Sequence, residues 1–332
     1  MNNWKSLKNP VLSYGDWSIK DACMARRDGL WHLFFSAFDQ ERSTVVHVTT
    51  PDFQTFSPFH FQLDGRDAGW IGMCSPDLVY SQGRYVLVLN SWGEMEDRPN
   101  ALFTMESADL FDWSKPRPLG HNLDPDARII DGALAWTGDC WMCVLKWWNQ
   151  ARMATAPSLD GPWRWVSQER MALLAEDGEE NGHVHENFQL VEIDRQWHLL
   201  STDYIPSASK RDATLEGKPF QRGISGGNHT PWLYRMSGDP ADPQAWLRWE
   251  DGRPLQVPGE AFNTIDRVNA AALCDNRKED GFLYLIYGGK NAERRDEFAG
   301  TAAAGRPWPR GWNRLGLARS GDLVEWTVPG GP

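Results

Sequence analysis

The sequence predicts an all-β chain: a five-bladed β-propeller with four antiparallel strands per blade. Three observations predict it. Short apolar segments of strand character, cut by Gly/Asp turns, run the whole length. An acidic residue opens such a segment at Asp21, Asp77, Asp131 and Glu186, at intervals of 56, 54 and 55 residues. Each interval repeats one order: two strands joined by a tight polar turn, a third strand, then a Ser/Thr-x-Asp turn before a short fourth. Four strands per unit at near-constant spacing describe blades set around an axis, whereas unrelated hairpins or a sandwich would not keep the spacing.

The first unit runs from Asp21-Ala22-Cys23-Met24-Ala25 through the turn Arg27-Asp28-Gly29 to Leu30–Ser36, then Ser43–Thr50 and an aromatic segment near Phe56. The second opens at Ser75-Pro76-Asp77, turns at Gln82-Gly83, and continues through Tyr85–Ser91, Ala101–Ser107 and Asp109–Ser114. The third opens at Ile130-Asp131-Gly132 and closes its first strand at Trp136; Trp141–Leu145, Ala151–Ala156 and Gly161–Trp165 follow. The fourth is the hairpin Gly182–Ser201, completed by Trp232–Ser237 and Trp246–Trp249. The fifth comprises Val268–Leu273, Gly281–Tyr287, Leu315–Ser320 and Glu325–Thr327, so residues 1–332 form a single domain. Asp52, Asp109, Asp160 and Asp322 fall before fourth strands and read as turn formers. Two intervals exceed the repeat, Asp203 to Thr230 and Lys290 to Arg314. They read as loops over one face of the disc, able to border a cleft.

Composition narrows the partners. With 41% hydrophobic residues among 332, the chain can bury a large core. Nineteen Trp suit blade packing, and also a cleft that grips the apolar faces of sugars. A formal charge of −11 argues against nucleic acid. No apolar run is long enough to span a bilayer, and the N-terminus lacks a secretory apolar segment, so a cytoplasmic protein is expected. The five Cys are scattered, and Cys140 and Cys143 point to opposite faces of a strand, which predicts buried thiols without disulfide or metal.

In a propeller the innermost strand of each blade begins at the central channel, so equivalent starts converge. Asp21, Asp131 and Glu186 are expected to face one another there, with Asp77 close by. Carboxyl groups gathered in one pocket push their pKa values apart, leaving one as a base and another as an acid. Glycosidic-bond hydrolysis needs that division.

These residues carry a resemblance to the five-bladed propeller glycoside hydrolases, especially families 43 and 117, over the whole chain as a repeat. Lys20-Asp21-Ala22 before Asp28-Gly29-Leu30-Trp31-His32-Leu33-Phe34 resembles the first-blade segment that holds the general base. Ile130-Asp131-Gly132 resembles the third-blade motif whose Asp tunes the acid. His185-Glu186-Asn187 with Trp197–Ser201 resembles the fourth-blade motif of the general acid. The resemblance implies inversion: Asp21 activates water, Glu186 protonates the leaving oxygen, and Asp131 keeps Glu186 protonated. His185 competes for the acid role, as in family 117. Asp77, His183, His229, Arg267 and Trp136 are the candidate substrate contacts. Ala22 and Gly132 stand where family 43 has Pro, and Val268-Asn269-Ala270 offers no His, so no metal or cofactor is carried over. The expected partner is an oligosaccharide, with a homodimer implied by related propellers. The alternatives are a non-catalytic sugar-binding propeller and a phosphorolytic relative, which would need a cationic phosphate cluster in place of one carboxylate.

Overall fold

The computed structural model describes residues 4–39, 42–93, 95–204, 229–290 and 312–331. Among them, strands β1 to β20 form five four-stranded antiparallel sheets, each with its strands side by side in chain order. Blade one holds β1 (Ser18–Arg27), β2 (Leu30–Phe38), β3 (Ser43–Thr50) and β4 (Phe61–Leu63). Blade two holds β5 (Gly72–Ser81), β6 (Arg84–Trp92), β7 (Leu102–Ser107) and β8 (Arg117–Leu119). Blade three holds β9 (Ile129–Trp136), β10 (Trp141–Trp147), β11 (Gln150–Ala156) and β12 (Arg164–Trp165). Blade four holds β13 (Val184–Ile193), β14 (Gln196–Tyr204), β15 (Thr230–Met236) and β16 (Trp249–Pro254). Blade five holds β17 (Ile265–Asp275), β18 (Leu283–Lys290), β19 (Arg314–Ser320) and β20 (Trp326–Thr327). The first strands touch in a ring, β1 to β5 to β9 to β13 to β17 and back to β1. The chain is a five-bladed β-propeller. The two long excursions, with Trp308, lie outside the described residues apart from their ends. No helix among the described residues is long and apolar enough to cross a membrane.

Both faces of each blade are buried, which explains why inner strands read as unbroken apolar runs. Successive side chains alternate between neighbouring cores: Leu199 packs with blade three, and Leu200 with blade five. Val144 and Leu145 divide in the same way between blades four and two. Trp31, Trp246 and Trp249 are fully buried between blades, and all five cysteines are free. The Ser/Thr-x-Asp turns use their side chains as expected at Asp52, Asp109 and Asp322, each of which accepts two backbone N–H bonds. Asp160 instead pairs with Arg117 at 3.0 Å. β20 is too short to cover β19, and the N-terminal segment takes that edge. Val11 donates to the Leu315 carbonyl at 2.9 Å, and the Asn9 amide exchanges two 2.9 Å bonds with the Leu317 backbone.

Every first strand carries a two-residue bulge near its start, seen as a break in register opposite the second strand. The first bulged residue is left-handed in all five blades: Asp21 (φ 52°), Ser75 (53°), Asp131 (53°), Asn187 (51°) and Ala270 (49°). These are the true equivalents. Ser75 rather than Asp77, and Asn187 rather than Glu186, occupy the position of Asp21, so the sequence spacing was aligned two residues late in blade two and one early in blade four. Asp and Asn tolerate this conformation better than most residues, so it favours them there whatever their chemistry.

A clasp between blades holds three of the bulges. Ser36 Oγ accepts from Ser75 N at 2.8 Å, Asn90 Oδ1 from Asp131 N at 3.0 Å, and Thr202 Oγ1 from Ala270 N at 2.8 Å. Each acceptor stands on the second strand of the preceding blade, opposite the residue before that blade's own bulge. In blades three and five the corresponding residues are Lys146 and Gly288.

Candidate active site

The ring of bulges brings side chains from four blades to one mouth of the channel. Asp21 is 4% exposed; its Oδ1 lies 3.1 Å from Lys20 Nζ and accepts from Asn187 Nδ2 at 3.3 Å. Its Oδ2 has no hydrogen-bond partner among the described residues. Asp131 is buried at 5% exposure, and its carboxyl is raised by burial and then by the charges of Glu186 and Asp21. Glu186, with a side chain 20% exposed, lies nearer the mouth. Lys146 Nζ donates to its Oε2 at 2.6 Å, and His229 Nε2 lies 3.8 Å from its Oε1. Asp21, Asp131 and Glu186 therefore share one electrostatic environment, as their remote sequence positions require of a hub.

Cations gather at the same mouth. Burial alone would lower the Lys20 ammonium, but Asp21, with Glu186 and Asp131, overrides it and holds it above its ordinary value. Lys290, at the end of β18, is lowered to about 7 by burial and by the charge of Lys20. Sequence reading missed Lys20, Lys146 and Lys290. The readable signal was a lone lysine inside an apolar strand, Trp141–Trp147, which must find a partner when buried.

The other expected residues divide. His183 Nδ1 lies 2.6 Å from Asp203 Oδ2, and that hydrogen bond raises the imidazole. His183 is half-buried at this mouth, with His229 beside Glu186. His185 is turned away into blade four: its Nδ1 lies 2.9 Å from Ser201 Oγ and its Nε2 3.1 Å from Asn181 Oδ1. Burial lowers it to about 3, so it is a neutral imidazole with both nitrogens engaged. It does not join the carboxylates. Arg267 is exposed on β17, and its carbonyl accepts from Asn263 Nδ2 at 2.6 Å. Asp77 sits below the rim. It lines a waist of about 20 Å³ with Asp21, Asp131 and Asn187, room for one water and too small for a sugar ring. Burial raises its carboxyl to about 7. Trp136 closes β9 and lies at the opposite mouth, away from the carboxylates.

Among the described residues no group of three or more His, Cys, Asp or Glu has the arrangement to hold a metal ion.

No protein-family model and no curated protein matches the chain. Solved structures match over nearly its whole length, at low identity. A glycosyl hydrolase from Bacteroides ovatus aligns with TM-score 0.64 and 13% identity, covering 97% of this chain and 93% of that one. A structure described under the family 130 mannoside phosphorylases, which contain glycoside hydrolases that target β-1,2 mannosidic linkages in Candida mannan, aligns with TM-score 0.63. It is 15% identical, over 96% of this chain and 93% of that one. A family 43 endo-arabinanase from Bacillus licheniformis aligns with TM-score 0.57 and 11% identity, over 92% and 95% of the two chains. The fold is that of the glycoside hydrolase propellers.

Proposed function

We propose that the chain is a glycoside hydrolase that removes a terminal sugar from an oligosaccharide with inversion. The observation that carries this reading is the meeting of Asp21, Asp131 and Glu186 at one mouth, in charge environments that differ. Asp21, flanked by the Lys20 ammonium and the Asn187 amide, is the proposed base that draws a proton from water. Glu186 and Asp131 are electrostatic neighbours, and the charge of Glu186 adds to burial in raising the Asp131 carboxyl. Lys146 favours the negative charge on Glu186 in the unliganded site, while burial and neighbouring carboxylates favour the proton on Asp131. The pair thus stores one proton, and Glu186, the more exposed member, delivers it to the leaving oxygen. His183 and His229 are the proposed hydroxyl contacts beside Glu186. The test is a panel of nitrophenyl glycosides and oligosaccharides, with the anomer of the first product read by NMR. Wild type should release sugar as the inverted anomer, and Asp21→Asn should lose at least ~10³-fold in kcat, the scale of a removed general base. A wild type inert on the whole panel yet able to bind sugars would move the assignment to a carbohydrate-binding propeller.

One observation favours a second reading, phosphorolysis. Lys20, Lys146 and Lys290 supply at this mouth the cationic cluster that an attacking phosphate needs. Under that reading, sugar release requires inorganic phosphate and yields a sugar 1-phosphate. Turnover in phosphate-free buffer, with free sugar as the product, decides for hydrolysis.

A further inference from the structure

The far mouth of the channel holds a second cavity, of about 590 Å³, built from the closing ends of the five first strands. Its volume falls in the range of small-ligand sites. Three successive blades each contribute an aromatic side chain to its wall. Blade two gives Tyr80 and Tyr85, with ring centroids 4.7 Å apart; blade three gives Trp136, and blade four gives Trp197. Each ring is braced: Trp136 packs on Trp141 at 5.4 Å and Trp197 on Trp246 at 5.0 Å, while Arg27 lies over Tyr85. Tyr80 is 62% exposed, so its ring is offered to solvent rather than used in the core.

The remaining wall mixes apolar side chains, among them Met24, Leu78 and Val191, with charged groups of both signs. Arg26 and Lys278 stand with Glu192, Asp275 and Glu279. An aromatic arc faced by hydrogen-bonding groups of near-cancelling charge suits a ligand with apolar ring faces and hydroxyl edges, and does not suit an anion. The two mouths do not communicate for anything larger than water. Gln189 lines both cavities, and its amide is clamped to the Leu273 backbone, Nε2 to O at 3.0 Å and N to Oε1 at 2.7 Å.

We propose that this far-mouth cavity is a second, non-catalytic binding site for neutral oligosaccharide, with Tyr80 and Trp136 as its stacking platforms. It stands independently of the activity proposed for the carboxylate mouth, and it gives Trp136 a sugar-binding role on the other face of the disc.

The experiment titrates full-length Asp21→Asn protein calorimetrically with cellotetraose, xylotetraose and mannotetraose. At least one should bind at a site whose affinity falls roughly tenfold, the worth of one aromatic stack, in Tyr80→Ala and Trp136→Ala. Tyr80→Phe, which keeps the ring, should retain the affinity. Tyr80 is exposed, so its variants should keep the wild-type melting temperature, and in an otherwise wild-type chain should keep turnover of a small nitrophenyl glycoside. The proposal is overturned if none of the three tetraoses binds, if Tyr80→Ala binds as before, or if Tyr80→Ala loses turnover together with binding. Far-mouth binding in a chain that hydrolyses nothing would instead sink the hydrolase reading alone.

Discussion

Asp77 gives the sharpest test of the channel geometry. It is 7% exposed in a waist of about 20 Å³, and burial raises its carboxyl from 3.8 to about 7. The native protein therefore keeps this proton to higher pH than the unfolded chain does. The associated stability is fully present below pH 3.8, falls as pH rises, and is lost above about pH 7. A difference of about three pH units corresponds to at most about 4 kcal/mol. Asp77→Asn replaces the carboxyl by an amide of the same shape that does not ionise. At pH 8 the variant should melt above wild type by up to about 8 °C, at about 2 °C per kcal/mol for a chain of this size. At pH 5 most of that gap should close. Differential scanning calorimetry at the two pH values measures it, and a gap that does not change with pH refutes the burial argument. Turnover separates the roles: a waist that excludes a sugar ring predicts kcat/KM within about threefold of wild type.

Three further outcomes follow from the same contacts. Lys146→Met leaves Glu186 without its buried cation and should cost about 3 kcal/mol, recovered in large part by adding Glu186→Gln in a double-mutant cycle. It should also move the alkaline limb of the activity profile upward, since the Lys146 charge no longer lowers the Asp131 carboxyl. Thr202→Val strands the buried Ala270 N–H and should cost about 1–3 kcal/mol by urea unfolding, with Thr202→Ser restoring it. His47 is lowered to about 3 by burial, then by His32 and His60, so its stabilising neutral form is present above pH 6.5 and lost as pH falls toward 3. His47→Phe, which keeps the ring stacked on Phe34 at 4.3 Å, should flatten the fall of melting temperature between pH 6 and pH 4.

The fold was legible because a propeller writes its period into residue type: apolar runs buried on both faces, Gly/Asp hairpin turns, and Ser/Thr-x-Asp turns all recur. The register inside each blade was not. A bulge is a backbone event, and nothing in Ser75-Pro76-Asp77 says which residue takes φ 53°. The acidic residue was the natural marker, and it led to Asp77, which stands two positions beyond the bulge start, down the channel. Glu186 fell one position early for the same reason, with Asn187 holding the equivalent of Asp21. His185 looked available because it precedes Glu186, but strand alternation sends it into blade four against Ser201 and Tyr234.

The five equivalent positions separate scaffold from chemistry. The left-handed residue is Asp, Ser, Asp, Asn or Ala, so the bulge alone does not demand a carboxylate, and Asp21 and Asp131 gain meaning from their neighbours. The residue before the bulge is Lys20, Cys74, Ile130, Glu186 or Asn269, and its partner on the second strand is Ser36, Asn90, Lys146, Thr202 or Gly288. Where that partner is Ser, Asn or Thr, it clasps the next blade's backbone. In blade three the clasp is replaced by Lys146, which reaches across to Glu186. One blade boundary has thus exchanged a neutral structural bond for a buried ion pair, beside the raised carboxyl of Asp131. A buried pair is at best weakly stabilising compared with an apolar or neutral contact, so stability does not account for the exchange. Under the proposed function the pair serves instead to control a proton at that boundary, where the proposed donor pair of blades three and four sits.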